Sequence, residues 1–255
     1  MATHSNALTV EEDVYELDIS HIVTEDDEPV DNIFSAIQQR LLVEPLYSAW
    51  SGPGDGRTFF AESNIGVFYM LKAPPLVPDA LLSLDVQADE DLWAKEHRSY
   101  FIWEFGKPPD VVIEVVSNKI GGEDSIKLEK YARMRISYYV IFDPARHLSE
   151  ELLRVYRLEG YSYQRHSETQ FPGIHLGLTM WEGVYSEMPA LWLRWVDEQG
   201  NLILTGKELA AQAQAEAAQA HAEAAQAQAE KELALQRAER LAAMLRQLGQ
   251  DPEQI

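Results

Sequence analysis

The chain has no cysteine among its 255 residues. That absence removes disulfide frameworks, thiolate nucleophiles and cysteine-type zinc sites together. Its seven histidines are scattered, with no HExxH spacing and no close pair, so a histidine metal centre has little to build on. There is no GxGxxG turn, no Gly-Lys-Ser/Thr phosphate loop and no nucleophile elbow, and nucleotide-binding and serine-hydrolase chemistries lose their usual anchors. The turn cluster Gly52-Pro53-Gly54-Asp55-Gly56 has no phosphate-binding context around it. No apolar run approaches the roughly 18 residues of a membrane span, and the N-terminus lacks the basic-then-apolar order of a signal peptide. These two absences predict a soluble, cytoplasmic protein.

Positive charge is also scarce: 21 Lys and Arg stand against 42 Asp and Glu, a formal net charge of -21. The imbalance is uneven. The first 30 residues hold nine acids and no Lys or Arg, residues 201–255 hold eight acids and five bases, and the stretch between holds 25 acids and 16 bases. Affinity for nucleic acid depends on Lys and Arg displacing counterions from phosphates, so tight duplex binding without a metal ion or partner is not expected. Local groups such as Lys95, His97 and Arg98, or Lys127, Lys130, Arg133 and Arg135, are either guides for a strand or simply solvated faces.

What the chain does have is a 46% hydrophobic content, enough for one sizeable core with an extension to spare. Residues 1–29 read as an acidic arm, 30–199 as an α/β domain with a mixed sheet flanked by helices, and 200–255 as a helical stalk. Strands are expected near Ile65 to Leu71, Ala80 to Val86, Tyr100 to Phe105, Val111 to Val116 and Tyr138 to Phe142. A hairpin is expected to join Leu152–Leu158 to Tyr161–His166 around Glu159-Gly160. Aromatics cluster at Tyr100, Phe101, Trp103 and Phe105 and at Trp181, Tyr185, Trp192 and Trp195, where packing in a core is the more ordinary use and base stacking the alternative.

The most informative segment runs from Pro108 to Pro144. Val111-Val112-Ile113-Glu114-Val115-Val116 is a β-branched run suited to a strand covered on both faces, and Glu114 interrupts it. A carboxylate there is costly unless something pairs with it; an exposed strand end or a structural ion pair would account for it without function. Upstream, Asp79 follows Pro78 and opens another apolar run. Two acids on neighbouring strands can converge at one sheet edge and hold a hard divalent cation through oxygen, as magnesium prefers. Lys127 falls in the first turns of the following helix and shares a face with Tyr131, whereas Lys130 points elsewhere and Lys119 precedes the helix.

Asp79, the run from Pro109 to Ser117, Gly121-Gly122-Glu123, Lys127, Tyr131 and the stretch Tyr138 to Pro144 together resemble the Uma-type restriction endonuclease family of the PD-(D/E)XK nuclease superfamily. The resemblance covers roughly residues 30–195 and extends in character to the C-terminal tail. It implies a restriction-endonuclease-like core and magnesium- or manganese-dependent hydrolysis of DNA. Asp79 and Glu114 would then be metal ligands and Lys127 a catalytic lysine. The superfamily pattern has lysine two residues after the acid, but here Val116 stands there, and the resemblance implies that the lysine has moved to the helix as Lys127. It also suggests a further acid from the N-terminal helix Asp31–Tyr47, for which Glu44 is the candidate; an exposed acid beside Pro45 is the plainer account.

From Glu208 a seven-residue unit rich in alanine recurs. With Ala210, Ala217 and Ala224 at a and Ala213, Ala220 and Ala227 at d, a long helix is dictated by propensity, ending at Gly249. The small seam permits close approach of a second helix but buries little, and Leu241, Leu245 and Leu248 are its anchors. A homo-oligomer through this helix or the core is expected, with a lone solvated helix as the alternative. Three functional classes follow: a metal-dependent DNA endonuclease, a silent nucleic-acid-binding or regulatory protein on a nuclease fold, and an assembly protein working through its stalk.

Overall fold

The computed structural model describes residues 32–54, 56–119 and 121–247. The acidic N-terminal arm and the stalk's expected end at Gly249 lie outside the described residues. The chain divides into two compact units, one of residues 32–46 with Trp50–Ile203 and one of Tyr47–Ala49 with residues 204–247.

The first long element is α1 (Ile33–Ala49), capped by the Asn32 side chain accepting from the Ser35 amide at 3.0 Å. Short strands β1 (Phe59–Glu62), β2 (Val67–Phe68), β3 (Ala80–Leu84) and β4 (Tyr100–Phe101) follow, then one helical turn α2 (Ile102–Phe105). Next come β5 (Val111–Val115), α3 (Ile126–Arg133) and β6 (Tyr138–Phe142). The hairpin β7 (Leu153–Glu159) and β8 (Ser162–His166) precedes β9 (Gln170–Phe171), β10 (Leu176–Tyr185) and β11 (Met188–Val196). The second unit carries α4 (Gly206–Gln247).

Six strands form one mixed sheet in the order β1-β3-β5-β6-β7-β8, in which only β5 and β6 run parallel. A parallel pair needs a crossover, and α3 supplies it. Both faces of the sheet are covered, which is why β5 reads as a continuous apolar run. Val111, Ile113 and Val115 face a cluster built with Leu42 and Leu46 of α1 and with Leu176, Leu193 and Trp195 of the β9-β10-β11 sheet. Val112 and Val116 face the opposite cluster with Tyr131 of α3, Tyr139 and Ile141. Side chains alternate along a strand, so Glu114 projects on the same face as Val112 and Val116, beneath α3.

Two expected strands are shorter than the sequence suggested. The Tyr100–Phe105 run leaves extended geometry after two residues and turns into α2, which Gly106 terminates in left-handed conformation (φ 73°). Of Ile65 to Leu71 only Val67–Phe68 is strand, pairing in parallel with β4 outside the main sheet. The β10–β11 hairpin was not anticipated. Its two-residue turn, Ser186-Glu187, holds positive φ at both positions (49° and 64°), the twist that suits a hairpin but that Asn-Gly normally signals.

In the second unit, the Thr205 hydroxyl accepts from the Glu208 amide (3.2 Å) while the Glu208 carboxylate accepts from the Thr205 amide (2.8 Å), a reciprocal capping box. The 42-residue helix α4 has no buried residue. Its heptad period surfaces as a ladder in which Gln212, Gln219 and Gln226 each donate to the glutamate four residues on, at 2.9, 2.9 and 3.2 Å. Among the described residues no helix is long and apolar enough to cross a membrane.

Candidate active site

Strand register brings the two acids together. β3 and β5 pair antiparallel with Ala80 opposite Ile113, and one further step sets Asp79 opposite Glu114. The Val115 amide donates to Asp79 Oδ2 at 2.6 Å, and Gln39 Nε2 of α1 donates to Oδ1 at 2.7 Å. Asp79 is thereby fixed from two directions, by the backbone of the strand that carries Glu114 and by the helix on the far side of the sheet.

Glu114 is 2% exposed, and α3 answers for its charge. Lys127 Nζ donates to Oε2 at 2.8 Å and the Tyr131 hydroxyl donates to Oε1 at 2.6 Å. These two residues lie one helical turn apart, which lets a single helix face satisfy both carboxylate oxygens. Burial pushes the Glu114 carboxyl up to about 7; Asp79 adds to that push, and Lys127 and Tyr131 oppose it. Burial also works against the Lys127 ammonium, but Glu114, Glu123 and Asp79 outweigh it and hold its pKa above the ordinary value. The Tyr131 hydroxyl is raised well above its usual range by burial and by Glu114, so it stays protonated and donates to the carboxylate.

Glu123 is a third acid here, one that belongs to the Gly121-Gly122-Glu123 motif but to which sequence reasoning gave no role. It is 6% exposed, and its Oε1 lies 3.4 Å from Lys127 Nζ. Its backbone carbonyl accepts from the Tyr139 hydroxyl at 2.7 Å. Gly121 makes room for it, since a Cβ at that position would collide with the Glu123 carboxylate. The other residue missed is Gln39. Gln38 and Gln39 are adjacent amides that α1 turns to its core side, 0% and 6% exposed, and buried amides of that kind must have partners, but the sequence alone does not say which way the helix turns. Gln38 finds its own in the Leu193 backbone, donating at 2.8 Å and accepting at 2.9 Å.

The structure brings Asp79, Glu114 and Lys127 together; Glu44 is not among the groups that act on Glu114. Glu44 is half-buried on α1 and acts electrostatically on Tyr185 of β10. It lies five residues, or about 140° of helix, from Gln39, the α1 residue that reaches Asp79. Lys119 is exposed, and Lys130 is not among the partners of Glu114. Asp110, in the Pro-Pro-Asp stretch before Glu114, has an architectural task. Its carboxylate accepts from the Leu84 amide at 2.8 Å and from Lys107, tying β5 to β3.

Among the described residues no three His, Asp or Glu side chains are grouped to hold a metal ion. The pair Asp79 and Glu114 offers only carboxylate oxygens, acceptors that can serve a hard cation as well as a hydrogen-bond donor. That donor set fits magnesium or manganese, which bind through one or two carboxylates and fill the rest of the shell with water and substrate phosphate. Calcium would ask for more protein oxygens, and zinc for nitrogen or sulfur.

A family model described as Uma2, putative restriction endonuclease, matches residues 15–181. The chain belongs to this family. No curated protein and no solved structure matches it. The six-stranded mixed sheet with α3 crossing between β5 and β6 is accordingly the restriction-endonuclease-like core of a Uma2 member, and α4 follows the matched region. The matched residues include Asp79, Glu114, Glu123 and Lys127.

Proposed function

We propose that the chain is a magnesium- or manganese-dependent endonuclease that hydrolyses DNA phosphodiester bonds. The observation that carries this reading is the 2.8 Å contact between Lys127 and Glu114, with Asp79 set opposite Glu114 by strand register. Asp79 and Glu114 would hold the cation, which when bound supplies positive charge at the scissile phosphate and lowers the pKa of attacking water. The Val115 amide and Gln39 keep the Asp79 carboxylate turned toward the site, and Tyr131 anchors one oxygen of Glu114. Lys127 is held charged by the surrounding carboxylates. Its ammonium orients the nucleophilic water or stabilises charge growing on the phosphate oxygens. We assign the lysine role to Lys127 because it alone, of the three lysines near this segment, reaches Glu114.

The protein acts in the cytoplasm on this reading, and α4 joins copies of the chain through a seam that includes Leu241 and Leu245. Nicking of supercoiled plasmid by purified protein tests the activity. Cleavage should require added magnesium or manganese, stop with chelator and vanish in Glu114→Ala. No cleavage of duplex, single-stranded or branched DNA by folded wild type would instead favour a binding or regulatory protein on a nuclease fold.

A further inference from the structure

A concave region lies among β1, α2 and the loop between β3 and β4, a cavity of about 740 Å³. Its apolar wall is aromatic. Phe60 and Phe105 line it with ring centroids 5.3 Å apart, and Phe105 is itself braced by stacking on Tyr100 at 4.1 Å. Trp93 stands at the cavity with 83% of its surface exposed. The polar wall is predominantly acidic, with Glu62, Asp89, Glu90, Glu96 and Glu104 set against Arg98 and His97. The two basic residues of the lining are committed within the loop: His97 Nδ1 is 2.7 Å from the Asp91 carbonyl, and Arg98 Nε donates to the Trp93 carbonyl at 3.0 Å.

These walls select a ligand by elimination. Phosphate-bearing molecules meet five carboxylates and are repelled. A bare metal ion has no use for the aromatic wall, and among the described residues no three acids are grouped to hold one. A cation with an apolar body uses both walls, gaining charge attraction from the acids and ring-face attraction from the aromatics. The volume falls in the range of small-molecule sites, about 300–1,000 Å³. We propose that this cavity binds a linear polyamine, its methylene segments against Phe60, Phe105 and Trp93 and its ammonium groups against the surrounding carboxylates. The assignment does not depend on the nuclease reading.

Calorimetric titration of the full chain with spermidine, at fixed ionic strength, tests it. One saturable site per chain is expected. Trp93→Ala should weaken binding roughly two- to thirty-fold, the range of a ring-face contact to a cation. Glu62→Gln combined with Glu104→Gln should weaken it similarly, while Glu129→Gln, an exposed acid outside the cavity, should leave it unchanged. In wild type the Trp93 indole N–H resonance should shift on saturation, a readout that needs no variant. Unsaturable uptake reduced alike by every acid removed, or an unmoved Trp93 resonance, would overturn the proposal and leave only a diffuse acidic surface.

Discussion

At Glu114, burial and neighbouring charge pull in opposite directions, and the outcome is a carboxyl poised near neutrality. Its pKa in the metal-free fold is raised from 4.5 to about 7, first by burial and then by Asp79. A raised pKa means the folded state binds the proton more tightly than the unfolded one. The stability this group contributes is therefore fully present below about 4.5 and is lost as pH rises through about 7. Metal-free protein should accordingly melt at a lower temperature at pH 8 than at pH 5, and Glu114→Gln should flatten much of that difference; thermal melts across this range decide it. Glu114, Asp79 and Lys127 were legible from the strand run, the helix spacing and the family resemblance taken together, and the pairing of β3 with β5 sets the two acids side by side. Glu123 and Gln39 were not, because one depends on the path of a loop eased by Gly121 and the other on which way α1 turns beneath the sheet.

Among the elements, legibility followed how local the deciding interaction is. β5, α3 and β6 announce themselves, the first and last by β-branched and aromatic runs and the helix by its i,i+4 face. The hairpin β10–β11 did not, because Ser186-Glu187 occupies a turn that only its two packed strands impose. Tyr100–Phe105 looked like strand from its aromatics, yet Gly106 lets the backbone close a helical turn instead. Asp143 is a further case in which a motif acid is architectural. It is 0% exposed at the end of β6, and its carboxylate accepts from the backbone amides of His147, Leu148 and Ser149 at 2.7, 2.7 and 3.3 Å. Replacing it strands three donors in the turn that reverses the chain into β7. Asp143→Ala should cost about 2–4 kcal/mol of stability by urea unfolding, from the loss of charge-assisted hydrogen bonds.

Over the whole molecule the dominant fact is negative charge. With a net charge of -21, a nuclease needs local positive charge, added cation or both before a DNA strand can approach. The proposed pair of carboxylates with one lysine is consistent with a site that gains much of that charge from the bound metal. The exposed helix α4, with Leu241 61% and Met244 63% exposed, has too little apolar surface for a strong coiled coil. Sedimentation of the full chain should show weak, concentration-dependent association that Leu241→Glu with Leu245→Glu abolishes. A single species at every concentration would assign the helix another task. The most direct test of the account is the rate of metal-dependent plasmid nicking by Lys127→Met set against Lys119→Met and Lys130→Met. Loss of about a hundredfold or more in Lys127→Met alone, the scale of removing one transition-state charge stabiliser, is the predicted result; full activity in Lys127→Met, or equal loss in all three, would contradict it.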